Sequence, residues 1–160
     1  MYRREGKRRA RQAVAFSDKN SVFHRLVPGM MVQGGDFHFQ DGTGGESIYG
    51  RHFDSEGFSK YHNRRGLIGL ANNGRDLNNS QFYFTFGRAP HLDNHHVLFG
   101  EIEEGLDVLD SIEAVKIDKN WRPCQDIIIT DSGVASWPDP PSDKLPSKPG
   151  YATGNKLNDF

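Results

Sequence analysis

Phe23-His24-Arg25-Leu26-Val27-Pro28-Gly29-Met30-Met31-Val32-Gln33-Gly34-Gly35-Asp36 decides how this chain is read. One cation, Arg25, sits inside an alternating apolar pattern that closes on a glycine pair. Taking a guanidinium out of water is costly unless something needs it there. Residues 23–27 and 31–33 read as two strands, with Pro28-Gly29 as the turn between them. If the two pair as a hairpin, Arg25 and Gln33 approach on one face, given a suitable register. Composition alone would favour a plainer account, a surface arginine on an edge strand.

Outward from this run the pattern stays strand-like. Residues 37–49 form a glycine-rich loop around Asp41-Gly42-Thr43-Gly44-Gly45. Residues 66–71 predict a short strand, 72–79 a polar loop, and 81–86 the clearest strand because polar and aromatic residues alternate. Residues 97–102 predict a further strand. Leu106, Val108, Leu109, Ile112 and Val115 have helical spacing after Gly105, which predicts a helix over 105–114. Residues 127–129 predict a buried closing strand.

The chain has 160 residues, which suits one domain with short extensions. Eighteen glycines and 11% aromatics favour tight turns between short strands over a helical bundle. Net charge is −1, so the chain as a whole is no obvious polyanion binder. Residues 1–13 form a basic leader in which Arg3, Arg4, Lys7, Arg8, Arg9 and Arg11 face only Glu5. Part of the leader, with residues 12–16, suits a helix. Three readings of it stay open: a solvated arm, a nuclear-targeting or nucleic-acid patch, and a mitochondrial presequence. Residues 135–160 change character, with five prolines from Pro138 to Pro149, and read as a tail outside the folded domain of residues 14–134. A single cysteine, Cys124, rules out an internal disulfide and favours a reducing compartment. No stretch is apolar and long enough for a membrane-spanning helix.

Several motifs invite other chemistry. Gly42-Thr43-Gly44-Gly45-Glu46-Ser47 suggests a phosphate loop, but it lacks the P-loop lysine and no helical pattern follows. His91, Asp93, His95 and His96 suggest a metal site; Pro90 before them and the strand pattern after them argue against the helix that a His91–His95 zinc pair would use. No Gly-x-Ser-x-Gly elbow is present, so nucleophilic hydrolysis has little support.

The ordered motifs settle the balance. Phe23-His24-Arg25, Gln33-Gly34-Gly35-Asp36-Phe37 and Gly42-Thr43-Gly44-Gly45-Glu46-Ser47-Ile48-Tyr49-Gly50 resemble successive motifs of the cyclophilin family of peptidyl-prolyl isomerases. So do Leu70-Ala71-Asn72, Asn78-Asn79-Ser80-Gln81-Phe82 and His91-Leu92-Asp93-Asn94-His95-His96-Val97-Leu98-Phe99-Gly100. They run in family order and spacing from about Val22 to Gly133. Pro90-His91-Leu92-Asp93 looks most like the larger nuclear members.

The resemblance implies a mostly β fold, an antiparallel eight-stranded barrel capped by two helices, and rotation about X-Pro bonds as the activity. It implies Arg25 and Gln33 as catalytic residues. It places Met30, Met31, Ala71, Asn72, Gln81, Tyr83, His91, Leu92 and His96 along a substrate groove for proline-containing peptides. No cofactor or metal is implied. A cytoplasmic or nuclear location is expected, with mitochondria as the alternative. Met30 and Tyr83 stand where the family has phenylalanines, and His91 replaces a common tryptophan, which should weaken cyclosporin binding more than catalysis. Asn73 and Leu77 also depart from the family near a second pocket. Only 22 residues precede Phe23, too few for the family's two strands and helix. The expectation is therefore a barrel lacking its first two strands. A partner or larger assembly covers the gap, the chain is a fragment or alternative product, or the leader replaces part of it.

Overall fold

A computed structural model of the chain describes residues 18–133. The basic leader, the helix expected over part of it and residues 12–16, and the proline-rich tail lie outside these residues. Five strands make one antiparallel sheet: β1 (Arg25–Val27), β2 (Met31–Gly34), β3 (Leu67–Asn72), β4 (Asn78–Thr85) and β5 (Leu98–Glu101). Their spatial order is β1-β2-β4-β3-β5. One α-helix, α1 (Leu106–Glu113), follows β5.

The β1–β2 hairpin forms for the reason its sequence suggests. Proline presets the first turn position, and Gly29 takes the left-handed angle of the second, φ 73°. The Met30 N–H closes the turn on the Val27 carbonyl at 3.0 Å. The register sets Arg25 opposite Gln33, Leu26 opposite Val32 and Val27 opposite Met31.

Because side chains alternate across a strand, two rows fix the two faces of the sheet. Leu26, Val32, Phe84 and Ile68 are paired in turn along one row. This face carries the main core, where Phe23, Leu26, Val32, Phe86 and Leu109 are buried. Phe23 packs edge-on to Phe82, ring centres 6.0 Å apart. Arg25, Gln33, Tyr83 and Gly69 are paired along the neighbouring row. That row belongs to the opposite face, which holds a second cluster of Met31, Ala71 and Tyr83.

Arg25 itself lies on β1, at the edge of the sheet, and is exposed. The burial cost that its apolar neighbours suggest is therefore not incurred, and the edge-strand account describes its place.

Other expectations need adjusting. β4 starts three residues before the expected strand, and the expected polar loop shortens because Asn72 pairs with Asn78. Asn78 is buried, and its amide donates to the Phe53 carbonyl at 3.2 Å and the Ser55 hydroxyl at 3.0 Å. These bonds offset asparagine's poor strand propensity. Residues 127–129 are not a buried strand: Ile128 makes one isolated bridge to Val22 and is 50% exposed. Their backbone bonds reach only residues 20–23, so no further ladder grows from them. Among the described residues there are five ladder strands, one α-helix and a 3-10 turn at Pro90–Leu92, where no helix was expected.

Candidate functional site

The second face brings most of the expected groove residues together. Met31, Ala71 and Tyr83 are buried there, with Met30, Val27 and Leu92 packed against them. This is an apolar seat, open at Met30 and Leu92. Arg25 stands two residues along β1 from Val27, opposite Gln33. Among the described residues its guanidinium makes no hydrogen bond or ion pair.

Gln33 is hydrogen-bonded to Gln81. Its amide nitrogen donates to the Gln81 side-chain oxygen at 2.8 Å. The Gln81 amide in turn donates to the carbonyls of Gly42 and Gly44, at 2.9 and 2.7 Å. The glycine-rich loop is thus tied to the groove. Asp36 holds the loop from beneath, accepting from the N–H groups of His38, Phe39, Asp41, Gly42 and Gly44. Burial pushes its carboxyl up, but these backbone donors outweigh that and hold it at about 2.

Gln33, Ala71, Asn72 and Gln81 line one shallow depression with Asn73 and Leu77. Asn72, His91 and His96 line a wider one beside it. The Asn72 amide donates to the His95 carbonyl at 3.1 Å. His96 places Nδ1 3.2 Å from the Leu70 carbonyl and packs edge-on to Tyr83. Burial lowers its pKa. His91 is exposed.

Tyr83 is 3% exposed, and its hydroxyl finds a partner that sequence reasoning missed. His62 Nε2 lies 2.6 Å away, and His62 Nδ1 lies 2.8 Å from Asp93 Oδ1. A carboxylate only accepts, so Nδ1 carries a proton toward Asp93, and in the neutral imidazole Nε2 then accepts from the phenol. Burial, then the Asp93 charge, pushes the Tyr83 phenol up. Gly69 lies opposite Tyr83, and a Cβ there would collide with the ring. No motif flagged His62; the signal available was a lone histidine in a polar stretch before β3.

This mostly β, antiparallel fold is of the cyclophilin type. The family model described as cyclophilin-type peptidyl-prolyl cis-trans isomerase matches residues 10–134, and the chain belongs to that family. Peptidyl-prolyl cis-trans isomerase D of Saccharomyces cerevisiae is 46% identical over 114 residues, covering 71% of this chain and 51% of the yeast protein. The human "probable inactive peptidyl-prolyl cis-trans isomerase-like 6" is 50% identical over 115 residues, covering 72% of this chain and 37% of that protein. The chain therefore spans about half or less of these relatives' length. A crystal structure of a Cryptosporidium parvum cyclophilin-type isomerase superposes with a TM-score of 0.72 at 39% identity, covering 75% of this chain and 76% of that one. A second structure of that protein, in the presence of the dipeptide Ala-Pro, gives 0.69 at 38% identity, covering 72% and 74%.

Proposed function

We propose that this chain is a peptidyl-prolyl cis-trans isomerase. One observation carries the reading: Arg25, a cation with no ion pair among the described residues, shares a face with the apolar seat of Met31, Ala71 and Tyr83. The seat suits a proline ring, and the Ala-Pro dipeptide present with the parasite relative carries such a ring.

The amide resists rotation because its C–N bond has double-bond character, with a barrier of ~18–20 kcal/mol. In the twisted transition state the nitrogen gains a lone pair. A guanidinium donating to that nitrogen stabilises the twisted form more than the planar one, which is the requirement for catalysis. Arginine stays charged throughout. On this reading Gln33, held by Gln81, borders the guanidinium, and Met30, Leu92, Asn72, His91 and His96 contact the peptide on either side.

The test is exchange NMR on an Ala-Pro tetrapeptide. Wild type accelerates cis/trans exchange, and Arg25→Ala removes most of it while the fold survives. Wild type no faster than buffer overturns the proposal. A second reading, a diverged scaffold that grips peptide segments with little turnover, draws on Met30, Tyr83 and the relative named as probably inactive. Peptide binding without exchange supports that one instead.

A further inference from the structure

Two walls of the apolar seat come from separate parts of the chain. Tyr83 is on β4, and Leu92 ends the 3-10 turn. His62, in the irregular segment before β3, bonds Tyr83 and the residues that flank Leu92's turn. Its ring bonds the Tyr83 hydroxyl on one side and Asp93, next to Leu92, on the other. Its N–H donates to the same Asp93 oxygen at 2.7 Å, and its carbonyl accepts from the Ala89 N–H at 2.9 Å. His62 therefore brackets the segment from Ala89 to Asp93 at both ends. Its side chain is 0% exposed.

The geometry points to His62 as the positioning residue of the seat, fixing Tyr83 and Leu92 relative to one another through a Tyr83–His62–Asp93 chain. This rests on the peptide-binding reading above. The chain directs the phenol hydroxyl toward His62, so the seat offers the ring's carbon surface. Gly69 supplies the room the ring needs. Removing the imidazole would leave a buried hydroxyl unpaired, and such a group is costly.

The test is a double-mutant cycle on the full chain, read as the affinity of an Ala-Pro tetrapeptide and the Leu92 methyl shifts. His62→Phe is expected to weaken binding by roughly tenfold, a loss within the range of coupling between residues in contact, because the two walls of the seat lose their common tie. Tyr83→Phe is expected to cost less, and Y83F added to H62F to recover most of the loss. Additive losses, with Leu92 unmoved, overturn the assignment. A role in fold stability alone would lower the melting temperature without this coupling in affinity. Should H62F fail to fold, Asp93→Ala is measured with and without Y83F: a larger loss with the phenol present supports the chain, and equal losses overturn it. Wild type that neither binds nor isomerises the peptide overturns the functional reading instead.

Discussion

Asp36 shows how one buried carboxylate shapes a loop that has little regular structure. Five backbone N–H groups converge on it, and a neutral side chain could not accept them as strongly. Its folded pKa of about 2 lies below the ordinary 3.8. A depressed carboxylate stabilises the fold above its unfolded pKa, and the contribution is lost as pH falls through the folded value. Stability is therefore expected to drop between about pH 4 and pH 2. Asp36→Asn should cost about 2 kcal/mol at neutral pH and flatten that drop. Denaturant titrations at about pH 7, 4 and 2.5 check this; the same acid slope in D36N overturns it.

At the scale of elements, one side chain gathers several of the bonds that tie α1 to the sheet. Arg65 donates to the Phe86 carbonyl at 2.9 Å and to Glu113 at 2.6 Å, pairs with Asp110, and lies over the Phe86 ring. Glu113 also accepts from the Gly29 N–H at 2.8 Å, joining helix and hairpin turn. Arg65→Ala should destabilise the fold by about 1–3 kcal/mol, read as a lowered melting temperature. An unchanged melting temperature would show that the helix docks through its apolar face and the Glu113–Gly29 bond without help from Arg65. Local features were legible in the sequence: the β1–β2 hairpin follows from Pro28-Gly29, and β4 from alternation. The start of β4 was not, because Asn78 is held by Phe53 and Ser55, distant in sequence. His62 was not, because its partners Tyr83 and Asp93 lie 21 and 31 residues away. The exposure of Arg25 was one of two accounts the sequence left open. Leu26 beside it is buried on the other face, and only the order of strands puts β1 at an edge.

Across the whole molecule, the core is unevenly covered. Five residues of the main cluster are buried, while Phe82, Phe84, Ile102 and others packed on it are only partly so. Val108 and Ile128 are 57% and 50% exposed. Apolar surface left in water contributes nothing to stability and attracts other apolar surface. The native chain is expected to bind an apolar fluorescent dye below its unfolding temperature. Dye fluorescence no higher than in buffer would contradict this.

The row from Arg25 through Gln33 to Tyr83 also has a consequence in time. The Gln33–Gln81 bond closes a separation of 48 residues, and His62–Asp93 one of 31. Closing such loops costs entropy before any contact rewards it. During synthesis, the hairpin bearing Arg25 can form early, but the face it serves has no floor until β4 and the segment through Asp93 have emerged. A nascent chain halted before that point would carry the cation without the seat.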